Sequence, residues 1–501
     1  MEAELSKTSM DRYETVCNVC FSREEMMESV VPDILPDIAR IIDADASIAL
    51  RSKVAESGRA TVSASLDCTV IYLAEGGGGL QRLSFAMPFT APVDAPELME
   101  GSRMVAGLSL NAVDARLLNP RKVLLRADVC VCLDCYEPGQ AELTSDIAAE
   151  NGVQTLKKTA NISAVTGVME KTFVLSDEFQ LTPSKPAIGE LLKQRVTVSV
   201  EDVKNVGMKL VFKGTAHVGI LYTAAEDGRL VTDEFTTSFS QILEKEEGCV
   251  EPVTELCVMP TGAYFEAMST SYGTNAVSME LHLVAQAVCS QSVELRYVAD
   301  AYSCEFESEV RTEVMALERI ERELVLRETV REFLETPEVL REVLAVYVQP
   351  GMAAVEGGRV SAPLDVKVLF LTDTGEVSSV SRILKAESQA ELEPGMELRV
   401  TSLRCAEPYA SVASGGLELR LPMEIRMLLL EKVSLQSVAG LTLDEETPLA
   451  VAGRPSVTVA AADGHDIWTL AKTYLSTPEL IESVNQGSLE AGEVLLIPRT
   501  R

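Results

Sequence analysis

Positive charge is scarce in this chain. Against 76 acidic residues it has 44 basic ones, a formal net charge of −32 over 501 residues. No Lys/Arg run offsets the deficit, and a uniformly acidic surface repels phosphate backbones and anionic headgroups. Nucleic acid and membrane surfaces are therefore poor partners. Long apolar runs are missing as well, so nothing here has the length needed to span a bilayer. Residues 1–23 carry no basic stretch followed by an apolar one, so no signal peptide is read there. The expectation is a soluble protein that stays in the compartment where it is made, the cytoplasm.

The parts of an active site are also in short supply. Only three histidines exist. His217 and His282 fall in predicted strands, and His465 in a turn near the C-terminus. No HExxH, P-loop, GxGxxG or GxSxG spacing occurs. Carboxylate pairs are so common in an acidic chain that chance pairs carry no weight for acid/base catalysis. The reading is a non-enzymatic protein without a cofactor.

Eleven cysteines, an odd number, do not suggest a disulfide framework and fit a reducing compartment. Two CxxC pairs, Cys17/Cys20 and Cys132/Cys135, could in principle supply four thiolates to zinc, with Cys130 as a spare. Cys130 and Cys132 sit in an alternating, strand-like run, however, where cysteine serves as a small hydrophobe. No metal is expected. Asp43-Ala-Asp45 resembles the start of a calcium loop, but its sixth position is Ile48 and no glutamate stands at its twelfth. A solvated strand edge is the simpler reading.

What the chain does have is core-forming material. Hydrophobic residues make up 47% and charged residues 24%, enough for several independent cores. Internal repetition organises them. Leu66-Asp-Cys-Thr-Val-Ile-Tyr72 is followed by glycines 76–79. Ala216-His-Val-Gly-Ile-Leu-Tyr222 is followed by Asp227-Gly228, and Leu364-Asp-Val-Lys-Val-Leu-Phe370 by Asp373-Thr-Gly375. Alternating apolar residues on either side of such a turn predict a β-hairpin three times over.

Upstream, Pro36-Asp-Ile-Ala-Arg-Ile-Ile42 matches Pro186-Ala-Ile-Gly-Glu-Leu-Leu192 and Pro337-Glu-Val-Leu-Arg-Glu-Val343. Proline followed by apolar residues at i+2, i+5 and i+6 reads as a short helix. A third anchor is the apolar run at 123–131, 277–284 and 417–425. Residues 319–333 would be helix on composition alone, but their counterpart at 173–181 reads as strand, and equivalent segments should share a fold. The expectation is three β-sandwich-like modules at 26–150, 165–300 and 315–435, each of eight or so short strands and one short helix. Residues 1–25 form an N-terminal segment. A period near 150 is too long for a solenoid, so the modules are expected to be separate beads, with strand edges free for contacts.

Residues 454–501 break the pattern. Val457-Thr-Val459 reads as a strand, and Asp466 as the cap of a helix through Tyr474. Thr477-Pro478 opens a second helix ended by Asn485, and Gly492-Glu-Val-Leu-Leu-Ile-Pro498 closes as a strand. The fold class is thus mainly β with minor α, ending in a small βααβ domain.

Gly464-His-Asp-Ile-Trp-Thr-Leu-Ala-Lys-Thr-Tyr474, Leu480-Ile-Glu-Ser-Val-Asn485 and the closing strand resemble a LysM domain. That resemblance implies binding of N-acetylglucosamine-containing glycan, such as peptidoglycan, between two loops. By position it nominates Gly464, His465, Asp466 and Ile467 on one side and Asn485 and Gln486 on the other. Two departures weigh against sugar: His465 replaces the usual aspartate, and the loop after Asn485 is short. Trp468 invites a stacking role, but an aromatic at this position serves the small core.

The upstream modules, with residues 36–42, Asn119-Pro-Arg-Lys-Val123 and the hairpin at Tyr72, resemble the SPOCS modules of SipL-like proteins. That resemblance implies a bacterial scaffold of spore coat assembly, on the mother-cell side of the spore. Its LysM domain would dock onto a coat morphogenetic ATPase or another coat protein. The alternative reading is a peptidoglycan-binding protein of the cell wall.

Overall fold

A computed structural model describes residues 1–77, 79–148, 152–245, 249, 252–270, 273–449, 456–461, 466–485 and 494–499. The first module contains β1 (Leu5–Val30), β2 (Ile38–Glu56), β3 (Arg59–Ala74), β4 (Leu80–Asp94), β5 (Arg103–Asn119) and β6 (Lys122–Ile147). The second contains β7 (Val153–Gln180), β8 (Ile188–Val206), β9 (Lys209–Ala224), β10 (Leu230–Glu244), β11 (Val253–Thr270) and β12 (Gly273–Ser303). The third contains β13 (Phe306–Glu335), β14 (Leu340–Pro350), β15 (Ala354–Glu356), β16 (Arg359–Thr372), β17 (Val377–Gln389), β18 (Met396–Cys405), β19 (Tyr409–Ala413) and β20 (Gly416–Pro448). A C-terminal unit follows: β21 (Val457–Ala461), α1 (Ile467–Tyr474), α2 (Pro478–Asn485) and β22 (Val494–Pro498).

Every module stacks a small sheet on a sheet of long strands. In the first, β2-β3-β4 covers β1-β6-β5, and Leu66, Val70 and Tyr72 meet Leu125, Val129 and Leu133 in a closed core. The second repeats this with β8-β9-β10 on β7-β12-β11, the third with β14/β15-β16-β17 on β13-β20-β18/β19. The sandwich expectation and the strand reading of 319–333 both agree with this. The three expected hairpins are β3–β4, β9–β10 and β16–β17, with Gly76, Gly228 and Gly375 at positive φ in their turns. Each module has six strand positions rather than eight, because the outer strands are long. Residues 1–25 are no separate segment, since β1 pairs with β6 from Leu5 onward.

The expected short helix after Pro36, Pro186 and Pro337 is instead strand in all three modules. Two β-bulges explain the misreading. Ala39 and Ile42 are the extra residues in β2, Gly189 and Leu192 in β8, and Arg341 and Leu344 in β14. Each bulge adds a residue and breaks the period of two, which produces the helix-like i, i+3, i+4 apolar spacing from extended chain. The bulges also correct the third copy's alignment by one residue, since Leu340, not Val339, matches Ile38. Two of the repeated anchors touch: the Tyr72 hydroxyl donates to Pro36 O at 3.1 Å, and Tyr222 to Pro186 O at 2.9 Å.

The modules are not separate beads. Bulge residues Ile42, Leu192 and Leu344 gather with Ile71, Leu221 and Leu369 in one apolar cluster, each module giving the same positions. The face of each small sheet packs on the next module's first small-sheet strand. Arg82 of the first module donates to Leu191 O of β8 at 3.1 Å, and Arg195 of the second to Val348 O of β14 at 3.1 Å. Lys367 of the third donates to Ala44 O of β2, and to Val113 O at 2.9 Å. Such a head-to-tail interface, repeated three times, closes a ring within one chain. The edges of β2, β8 and β14 are therefore capped from inside, and are not among the strand edges open to a partner.

Beyond the sandwiches the long strands continue as three two-stranded ribbons. Leu143, Ile162, Leu295, Leu317 and Leu435 meet in one cluster between them, and Ile147, Val298, Leu441 and Leu443 in a second. Each ribbon starts at a bulge, at Val16, Thr166 or Glu321, and has another at Ser145, Ala299 or Ala439.

Candidate functional site

The C-terminal unit has the strand–helix–helix–strand order expected, with β21 and β22 antiparallel. Asp466 caps α1 by accepting from Thr469 N at 2.7 Å. Ile467, the first residue of α1, packs against the unit's core with Leu470, Ala471, Ile481, Leu495 and Ile497. Asn485 ties α2 to β22: its Nδ2 donates to Ile481 O and Leu496 O, both at 2.7 Å, and its Oδ1 accepts from Leu496 N at 2.8 Å. Both ends of that amide are committed inside the unit. Gly464, His465 and Gln486 lie outside the described residues.

This unit is docked, and the chain's one tryptophan is part of the dock. Trp468 Nε1 donates to Asp300 Oδ2 at 2.8 Å, and Lys472 Nζ reaches both oxygens of the same carboxylate at 2.8 and 2.7 Å. The Trp468 ring meets Tyr302 edge-on, with centroids 5.0 Å apart. Buried Tyr302 donates its hydroxyl to Ser476 O, in the connection between the helices, at 2.7 Å. The Ala299 bulge in β12 sits beside Asp300, re-aiming the strand where it receives the unit. Core packing alone does not describe Trp468: it bridges the unit to the second module.

A second constellation lies at the ring's centre, around the Asp43-Ala-Asp45 stretch read above as a solvated strand edge. Lys193 is 2% exposed, and its Nζ lies 2.7 Å from Asp43 and 2.8 Å from Asp45. It also stands 3.7 Å over the Tyr347 ring. Arg195 donates to Gln349 Oε1 at 2.8 Å and flanks Asp45. Burial would raise the Asp45 carboxyl, but Lys193, Arg195 and Lys367 outweigh it and hold the group well below the usual carboxylate range. Asp43 is buried, so the solvated edge expected for Asp43 and Asp45 is corrected: the second module covers it. The available signal was the repeat itself. Asp43 and Lys193 are equivalent positions, as are Asp45, Arg195 and Tyr347, and acid against base at one repeat position marks a contact between copies.

A cleft of about 440 Å³ opens between modules one and two and one of about 880 Å³ between two and three. Thr69 lines the first and Gly219 the second. The equivalent residue at the remaining junction is Lys367, whose side chain crosses to the first module's carbonyls.

The two CxxC pairs face each other across β1 and β6, but their four sulfurs do not gather at one point. Residues three apart on a strand face opposite sides. Cys17 and Cys135 turn toward the first module's core, while Cys20 and Cys132 turn away from it and form a disulfide. That bond corrects the expectation of a chain without disulfides. Among the described residues no group of three His, Cys, Asp or Glu is placed to hold a metal ion, and no helix is long and apolar enough to cross a membrane.

Residues 37–118, from β2 into the end of β5, match the family model described as SipL, SPOCS domain. The match covers the first module alone and points to a sporulation-related role. No curated protein and no solved structure matches the chain.

Proposed function

We propose that this chain is a non-enzymatic scaffold of spore-envelope assembly, acting from the mother-cell cytoplasm. Three fused SPOCS-like modules make a rigid body, and a LysM-like C-terminal unit docks a coat morphogenetic protein, an ATPase or another coat component. The observation that carries this reading is the SPOCS match in module one, in a chain whose other two modules repeat its strand order and bulges. Protein docking is favoured over glycan because Asn485 and Asp466, two of the nominated groove residues, have side chains engaged within the unit. A sugar acetamido group needs free, convergent polar partners.

The test compares the full chain with a form ending before residue 454, in two parallel assays. One is co-purification with a coat morphogenetic ATPase from sporulating cells; the other is co-sedimentation with purified peptidoglycan sacculi. Binding to the ATPase that disappears on truncation supports the scaffold reading. Retention on sacculi that disappears on truncation, without ATPase binding, replaces it with the cell-wall alternative.

A further inference from the structure

Cys20 on β1 and Cys132 on β6 are register partners joined by a disulfide, and their two sulfurs have unlike surroundings. Cys20 is exposed, whereas Cys132 is half-buried. Over Cys132 lies Met352 of the third module, its Sδ 3.4 Å from Cys132 Sγ and 2.7 Å from the Sγ of buried Cys130. Met352 belongs to the break between β14 and β15, which frees this stretch to reach the first module. It is held there by its own N–H, which donates to Asn111 Oδ1 at 3.1 Å. Asn111 in turn donates to Ser22 Oγ and Asp128 Oδ2, at 3.1 and 3.2 Å. Asp128 and Asp134 stand on the same face of β6 as Cys130 and Cys132, one at each end of the sulfur row.

Attack on a disulfide is governed by access to each sulfur and by the charge around it. Here Cys20 is open and Cys132 is roofed by a thioether. We propose that the Cys20–Cys132 bond is a thiol-exchange site, at which a partner protein's cysteine becomes joined to Cys20. The partner's thiol loses its proton to water, and the thiolate pair forms a new S–S bond to Cys20 Sγ. The Cys20–Cys132 bond breaks, and its electron pair leaves on Cys132 Sγ, which takes up a proton. One disulfide is consumed and one is made, so no outside oxidant is required. The reverse attack by Cys132 releases the partner. An anionic thiolate approaching past Asp128, on a chain of net charge −32, is repelled unless its cysteine is flanked by Lys or Arg. The partner class is therefore a protein with a free cysteine in a basic surrounding. This site is independent of the C-terminal unit and stands or falls apart from the docking assigned to it.

The test uses the full chain, purified without reductant, and two small thiols of opposite charge, cysteamine and mercaptoacetate, with all rates compared per thiolate because the two thiols ionise at different pH. Freed thiols are alkylated and the adducts located by peptide mass mapping. The expected result is an adduct on Cys20 with Cys132 newly alkylated, forming about tenfold faster with cysteamine at low salt. Met352→Ala should uncover Cys132 and spread the adduct over both cysteines. Adduct formation chiefly on Cys132, equal rates for the two probes, an unchanged pattern in Met352→Ala, or both cysteines alkylated before any probe is added would overturn the proposal.

Discussion

Lys193 shows how one side chain can hold three modules at once. It reaches Asp43 and Asp45 of the first module and covers Tyr347 of the third. Removing one partner of a buried ion pair leaves uncompensated charge, which costs about 3–5 kcal/mol. Lys193→Ala is therefore expected to lower stability by that amount in denaturant titration, and exposed Lys204→Ala to change it by less than about 0.5 kcal/mol. The pH dependence follows from the same site. Asp45 is depressed when folded, so its contribution is complete above the unfolded carboxylate value near ~4 and is lost as pH falls below it. Lys193 is raised by Asp43 and Asp45 despite burial, so its contribution is complete below ~10 and is lost as pH climbs past that. The denaturant midpoint should therefore be nearly flat between those limits with respect to this site. In the Lys193→Ala chain the alkaline decline should shrink. None of this was legible from residues 43–45 alone, because the groups that bury them lie 150 positions away.

At the scale of strands and helices, much was legible. Hairpins announced by glycine and the apolar closing runs of each module are where their local chemistry put them. The bulged strands were not legible, because apolar pairs such as Ile41-Ile42 serve two faces: Ile41 packs toward the sandwich core and Ile42 toward the ring's centre. Sequence alternation carries no label for which neighbour a residue will meet. The C-terminal unit was read correctly in its order of elements, while its dock on β12 was invisible for the same reason. That dock has a direct optical report, since Trp468 is the only tryptophan. Asp300→Ala removes the acceptor for both Trp468 and Lys472. Its expected outcome is red-shifted emission with lower anisotropy and an unchanged denaturant midpoint of the sandwiches. Unaltered emission would mean that the carboxylate does not hold the unit.

The whole molecule differs from its sequence expectation in one respect, the relation between modules. Three copies were legible, but a repeat length near 150 reveals nothing of how copies meet. The ring is built from unlike residues at equivalent positions, Asp45, Arg195 and Tyr347 at its centre, and from caps on neighbouring strands that come from different strand positions, Arg82, Arg195 and Lys367. For the scaffold role proposed above, such a body would fix the spacing between contact points, where loosely strung domains would offer only raised local concentration. Differential scanning calorimetry of the full chain beside Lys193→Ala tests this most directly. A closed ring predicts that the three modules melt in one transition and that the substitution lowers that transition as a whole. Two or three separate transitions, with only some of them moved by Lys193→Ala, would show that the modules are independent and would contradict the account.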